Sequence, residues 1–422
     1  MSDIRFEGWL HRSGTGGVYQ DSAGNVGIAS TQPQTRLDIG NGGFQVGPTG
    51  IATVTTVNTT NLINNTPLSN RNKIINGAMQ VCQRATSAAT ISSSGINVAD
   101  RFNLNLVSIG SFRLDQSREQ TVKPDGFGFS LKTSVDSGTE GAIASTERVA
   151  IEQRIESQNM QDLAFGTSGA QSFTLSFYVR STRAGQYGIN FRVHDSGRDY
   201  NEKFTIASAD TWERHSITVP GDTSGTAPVN DTGIGMWFRI LLRAGSTVIG
   251  NDNYQSWGAS ATHKVPTGQQ TTWGTASNDA FYITGVQLET GSVATPFEHR
   301  SIGHELELCK RYYQVLVDAA GSGTQFSFGN ATGYNTSTIH LVTPLRPEMR
   351  ATPTIDYTTG TGYYKAFQNN TSDDFDNWSV VGNSHTRAVD ISAGGGVSIT
   401  AGTSVLLRTG NTDSKVRFVA EL

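Results

Sequence analysis

The chain has 422 residues, 32 Lys plus Arg against 36 Asp plus Glu, and a formal charge of −4, a near balance that speaks against a nucleic-acid binder. Charged residues are only 16% of the total, while 47 glycines stand beside 19 Phe, 12 Tyr and 6 Trp, enough aromatic mass for buried cores and against global disorder. No stretch approaches the ~20 apolar residues of a membrane span, and Cys82 and Cys309 are too few for a disulfide framework or a thiolate zinc site.

Residues 1–70 carry seven charges (Asp3, Arg5, Glu7, Arg12, Asp21, Arg36 and Asp38) and little aromatic mass. Gln20 to Ile28 reads as a turn entering a short strand, and Thr35 to Ile39 alternates like a half-buried strand. Residues 51–65 are β-branched with weak amphipathicity. So thin a segment cannot offset its own ordering entropy, so it is expected to lean on another chain, most economically through symmetry. Met1 to Arg5 lacks the apolar run of a secretory signal, which predicts assembly in the cytoplasm.

From Arg71 to Arg300 the chain becomes a series of strands. Phe173, Leu175, Phe177 and Val179 share one face of 173–180, and Tyr187, Ile189, Phe191 and Val193 share one face of 187–194. Ile234, Met236, Phe238, Ile240 and Leu242 do the same in 234–243. Ile217 and Val219 follow Trp212, and Ala280 to Leu288 forms the last strand, with Gly285 as a bulge. Strict alternation predicts an antiparallel sandwich. One helix is expected over 301–314, capped by Ser301, with Ile302, Leu306, Cys309 and Tyr313 on one apolar stripe. Residues 315–422 return to strands at 325–328, 338–342, 397–400, 405–407 and 416–420, a second and smaller β-sandwich. The fold class is therefore all-β: an N-terminal adaptor of short strands (1–70), an antiparallel jelly-roll sandwich (71–300), a linking helix (301–314) and a C-terminal β-sandwich (315–422).

Catalytic signatures are missing: there is no G-x-S-x-G elbow, H-E-x-x-H, Walker loop or Cys-x-x-Cys. The eight histidines never pair at metal-ligand spacing, and Asp373-Asp374-Phe375-Asp376 lacks the glycine and terminal Glu of a calcium loop and reads as a solvated turn. No metal, cofactor or enzymatic activity is expected, and a glycosidase would need two carboxylates roughly 5–10 Å apart across a sugar groove.

Three segments carry a resemblance. Ala23-Gly-Asn-Val-Gly-Ile-Ala-Ser-Thr-Gln-Pro-Gln-Thr-Arg-Leu-Asp-Ile39 resembles an element of phage tail-fibre and appendage proteins, with Ala29 in place of a usual glycine. Arg71-Asn-Lys-Ile-Ile-Asn-Gly-Ala-Met-Gln80, followed by Ala99-Asp-Arg-Phe102, resembles the start of a jelly-roll domain of phage fibres. Phe281 to Arg300 with Leu308-Cys-Lys-Arg-Tyr-Tyr-Gln314 resembles its end. The resemblance implies a trimeric, β-rich, non-enzymatic virion protein whose jelly-roll is similar to carbohydrate-binding modules. Residues 315–422 lack the long helices of a self-cleaving chaperone, so the C-terminus is expected to stay intact.

Opposite the core faces, the strands present Tyr178 and Arg180, then Asn190, Arg192 and His194, then Trp237, Arg239 and Arg243. Aromatic faces suit the C–H side of a pyranose, while Arg and Asn suit hydroxyls and carboxylates. If the strands are neighbours, one aromatic and basic surface would suit acidic polysaccharide. The same residues could instead pack against the helix, the C-terminal domain or a neighbouring subunit, and Trp257 and Trp273, in a long polar loop, share that ambiguity. The expected partners are two sister copies, other virion tail proteins through residues 1–70, and host surface polysaccharide. Neither nucleic acid nor membrane insertion is expected. A head fibre, collar or baseplate piece without a receptor stands as the alternative.

Overall fold

The computed structural model describes residues 70–422, apart from 251–252, 260–263, 265–267, 270–271, 320–324 and 361. Of the earlier residues it describes short stretches within 8–53. The chain divides into two compact units, Met1–Pro67 and Leu68–Leu422.

In the first unit six strands, β1 to β6 (Gly8–Leu10, Gly17–Gln20, Val26–Ile28, Leu37–Ile39, Phe44–Val46 and Ala52–Thr53), pair in sequence order into one sheet. Their pairings are antiparallel except β3 with β4, which run parallel. The two strands expected near 26–28 and 37–39 are present. Val18 and Ile28 sit directly opposite one another and both are exposed. Most of the 51–65 segment lies outside the described residues.

The jelly-roll comprises β7 to β18: Ser87–Ile91, Asn103–Val107, Leu114–Glu119, Ser130–Val135, Arg148–Glu156, Phe173–Ser181, Gly185–Val193, Arg198–Ile206, Glu213–Val219, Ile234–Ala244, Gly258–Ala259 and Ala280–Thr290. They form two six-stranded sheets, β15-β12-β18-β10-β9-β7 (sheet I) and β17-β14-β13-β16-β11-β8 (sheet II). The alternation read in β12, β13 and β16 is realised: Phe173, Phe177, Ile189, Phe191, Phe238 and Ile240 are all fully buried in one core. Each such side chain contributes roughly 1.5–3 kcal/mol by leaving water. Gly285 is the expected bulge. Ser176 pairs with Gln287 but Tyr178 with Thr284, and Gly285 has φ +62°. A Cβ there would lie 2.6 Å from the Phe127 ring and 2.9 Å from that of Tyr178, so only glycine fits.

The motifs that begin at Arg71 and end at Arg300 form the clasp that closes this sandwich. Asn72 is buried; its Nδ2 donates to the Val286 carbonyl (3.1 Å), and its Oδ1 accepts from the Ile74 and Leu288 amides (2.9 and 3.0 Å). Asn76, fully buried at φ +62°, donates to the carbonyls of Val81 (2.8 Å) and Asp100 (3.0 Å) and accepts from the Val81 amide (2.9 Å). Glu298 accepts from the Asn70 and Asn72 amides, and Arg300 donates to the carbonyls of Asn72 and Ile74. The start and end motifs thus satisfy one another's backbone groups across more than 200 residues of chain.

Ser301 caps the helix, accepting from the His304 amide, but the helix is shorter than expected and covers Ile302–Lys310. Tyr313 belongs instead to the following strand, and Ile302 is 58% exposed, so the apolar stripe is only partly real. The helix is anchored by Cys309 and by the buried Glu305, whose carboxylate accepts from the Asn76 amide and faces Arg300 (3.5 Å).

Strands β19 to β28 follow: Tyr313–Asp318, Ser327–Gly333, Thr338–Pro344, Thr354–Tyr357, Tyr364–Gln368, Thr371–Phe375, Ser379–Val380, Ala388–Gly394, Ser404–Thr409 and Lys415–Val419. A three-stranded sheet, β19-β28-β22, and a seven-stranded one, β24-β23-β27-β20-β21-β26-β25, enclose a second core around Ile339, Tyr364, Val389, Leu407 and Phe418. Residues 397–400 are not a strand. The acidic run is not a turn either: Asp373 and Asp374 lie in β24, Asp374 pairs with Lys365 (2.6 Å), and Asp376 accepts from the Gly362 amide (2.7 Å). This second sandwich shares one compact unit with the jelly-roll. Arg311 grips Glu156 with two bonds (2.7 and 2.8 Å), Arg101 stacks on Tyr312 and pairs with Glu421, and Arg84 stacks on Tyr313.

Candidate functional site: two faces of the sandwich

The residues singled out on the outward faces do not form one surface. Tyr178 and Arg180 lie on β12 in sheet I, whereas Asn190, Arg192, Trp237 and Arg239 lie on β13 and β16 in sheet II. The two sets look outward from opposite sides of the core, because the chain crosses from sheet I to sheet II between β12 and β13. His194, just past β13, is exposed beside Trp237, with ring centroids 5.9 Å apart. Arg243 is a further correction. The register slips between Val149 and Ala150, which turns its side chain inward. There it pairs with Glu147 (2.6 Å), donates to the Gly274 carbonyl (2.8 Å) and is 1% exposed. Trp273 is fully buried in the core, and Trp257 packs on Phe165 and Tyr200 while donating to the Pro220 carbonyl (2.7 Å). Neither is a free platform.

On sheet II the register builds two rows. One runs Asp199, Arg192, Trp237, Arg154; the other runs Asn201, Asn190, Arg239, Glu152, Asn103. Trp237 is half-buried, flanked by the guanidiniums of Arg239 and Arg192 at 5.3 and 5.5 Å from its ring. Beneath it the polar groups hold one another. Glu152 accepts from Arg239 (2.7 and 2.5 Å) and Arg154 (2.8 Å), Arg192 pairs with Asp199 (2.9 Å), and Asn190 donates to Asn201 (2.9 Å). Burial would raise the Glu152 carboxyl, but Arg239 and Arg154 outweigh it and hold the group below the usual carboxylate range. Burial, helped by Arg239, brings Arg148 down to about 10. Four guanidiniums (Arg148, Arg154, Arg192, Arg239) face two carboxylates (Glu152, Asp199), leaving the floor cationic. The indole N–H of Trp237 and Oδ1 of Asn190 are buried without a partner among the described residues, a state native proteins seldom leave unexplained. Beyond Arg154 the face opens into a cavity of about 270 Å³ lined by Arg84, Arg101, Asn103 and Glu421. Glu152, Arg154 and Asp199 are not legible in the sequence because their strands are not: β11 is buried almost throughout, which erases alternation, and Glu202 interrupts the inward row of β14.

On sheet I, Tyr178 opens onto a recess of about 500 Å³ with Phe127, Phe297, His299, Arg214 and Asp125. The Phe127 ring lies 5.2 Å from Tyr178, 5.1 Å from Phe297 and 5.2 Å from His299. Arg180 pairs with Asp210 (3.0 Å) and overhangs Tyr282. Among the described residues no group of three or more His, Cys, Asp or Glu could hold a metal.

No protein-family model and no curated protein matches the sequence. Among solved structures, the chain is similar to the enzymatically active domain of tailspike protein 4 of bacteriophage CBA120 (11% identity, TM-score 0.27), over 52% of this chain and 21% of that one. It is also similar to the family 11 carbohydrate-binding module of a cellulosomal cellulase of Clostridium thermocellum (10%, 0.24), over 51% of this chain and 98% of that one. A third is the module TmCBM61, solved with β-1,4-galactotriose (7%, 0.25), over 52% and 99%.

Proposed function

We propose that the protein is a structural subunit of a phage virion appendage, a homotrimeric tail fibre that joins the particle through residues 1–70 and holds acidic host-surface glycan on the outer face of sheet II. One observation carries the glycan reading: half-buried Trp237 has two guanidiniums within 5.5 Å of its ring on a cationic floor, and its own indole N–H and the neighbouring Asn190 Oδ1 have no partner among the described residues. The indole would cover the apolar face of a sugar ring while Arg192, the more exposed of the two guanidiniums, meets its carboxylate. The motifs at 23–39, 71–102 and 281–314 support the virion assignment. The facing, exposed Val18 and Ile28 support burial of the first unit against sister copies. Three copies would turn weak single contacts into avidity higher by about 10²–10⁴.

The mutual pairing of Arg192 with Asp199 and of Arg239 with Glu152 favours a second reading, a head fibre, collar or baseplate piece with no receptor. Affinity electrophoresis through alginate and polygalacturonate separates the two. The first reading expects salt-sensitive retardation that Trp237→Ala abolishes; unretarded wild-type protein refutes it. Light scattering reads the trimer directly.

A further inference from the structure

We propose that the recess on sheet I is a second sugar site, one that takes a neutral oligosaccharide and works independently of the Trp237 face. Its origin is local. The glycine bulge of β18 removes a side chain at 285, so the Phe127 and Tyr178 rings settle into the gap, and the segment after β18 folds Phe297 and His299 over them. The result is a concavity of about 500 Å³ with aromatic walls, inside the roughly 300–1,000 Å³ range of ligand pockets.

What separates this recess from a simple packing defect is its unused polar chemistry. Among the described residues, the hydroxyl of half-buried Tyr178 makes no hydrogen bond, and the exposed His299 ring, Asp125 carboxylate and Arg214 guanidinium stand around it as a polar rim, Arg214 donating to the Thr295 carbonyl (2.9 Å). Donors and acceptors set among ring faces match a pyranose, which is apolar on its C–H face and hydroxylated at its rim; a purely apolar peptide side chain would leave them stranded. One guanidinium and one carboxylate balance at this rim, so nothing in it selects a charged ligand, in contrast to the arginine-rich face around Trp237.

The recess also has a direction. Arg180 pairs in register with Tyr282, two residues along β18 from the partner of Tyr178, and Trp212 meets Tyr282 edge-on at 6.3 Å. All three rings, Tyr178, Tyr282 and Trp212, are half-buried on the same outward face. With Arg180 over the Tyr282 ring, that row carries rings and a guanidinium past the reach of a single sugar ring, toward an oligosaccharide of several units.

The test uses the full chain and three neutral trisaccharides of different linkage (cellotriose, maltotriose and β-1,4-mannotriose) at millimolar concentration, read by saturation-transfer NMR and calorimetry. The expected result is transfer from aromatic protons to at least one of them. Affinity should fall at least about tenfold in Tyr178→Ala, fall several-fold in Arg214→Gln and stay unchanged in Trp237→Ala. Arg214 is exposed, so that variant keeps the test decisive should Tyr178→Ala fold poorly. No transfer to any of the three, or binding indifferent to both Tyr178→Ala and Arg214→Gln, overturns the proposal. Loss of trisaccharide binding in Trp237→Ala alone would also overturn it while leaving the sheet II reading intact.

Discussion

If the Arg71–Gln80 motif is a clasp and not a binding element, Asn76→Ala should cost stability and leave ligand affinity alone in whatever folds. The magnitude follows from the hydrogen bonds. The side chain serves the Val81 amide and the carbonyls of Val81 and Asp100; the Val81 carbonyl keeps a second partner in the Asp100 amide (3.0 Å). Alanine therefore strands two buried backbone groups, at about 1–3 kcal/mol each. Holding a Cβ residue other than Asn at φ +62° adds roughly 1–2 kcal/mol. The sum, about 3–8 kcal/mol, is comparable with the roughly 5–15 kcal/mol that holds a domain together. Urea unfolding followed by tryptophan fluorescence measures it as a drop in midpoint. Asn76→Gly should recover the backbone part, about 1 kcal/mol, and no more. An Asn76→Ala protein within about 1 kcal/mol of wild type, or one of normal stability that no longer binds glycan, would refute the clasp.

Two further outcomes follow from buried ionisable groups. Glu152→Gln leaves Arg239 and Arg154 facing a neutral amide, and the loss should be about 3 kcal/mol at neutral pH. Because the folded carboxyl titrates below its usual 4.5, its contribution is complete above that value and disappears as pH falls through the folded pKa. The urea-midpoint gap between wild type and Glu152→Gln should therefore hold above pH 4.5 and narrow as the pH falls through the folded pKa, and a gap that widens on acidification contradicts the pairing. Burial pushes the Cys82 thiol up to about 12 and Cys309 well above its usual value. At mildly alkaline pH, maleimide should label neither cysteine in the native protein and both in urea; rapid native labelling of Cys309 would contradict the docking of the helix.

The strands legible in the sequence were those with one purely apolar row, such as Phe173 to Val179 and Met236 to Leu242. Strand β11 was missed because nearly all of its residues are buried, which erases alternation, and β14 because Glu202 interrupts its inward row of Tyr200, Phe204 and Ile206. Asn72, Asn76 and Arg300 were visible as a motif, but the clasp that Asn72 and Arg300 make depends on partners more than 200 positions away, and the Asn76 side chain reaches Val81 and Asp100 across a non-repetitive loop.

Period-two patterning and composition by themselves determined an all-β chain, several of its sandwich strands, the glycine bulge at 285 and the Ser301 cap, because each depends on neighbours a few residues apart. The sheet to which each strand belongs, and hence the side of the molecule that Tyr178 or Trp237 faces, was decided only by tertiary structure. So were the pairing of Glu152 with two arginines and the inward turn of Arg243. Alternation says that a residue points away from the core; which sheet carries it is fixed by crossovers and register slips, where long-range pairing outweighs any local preference.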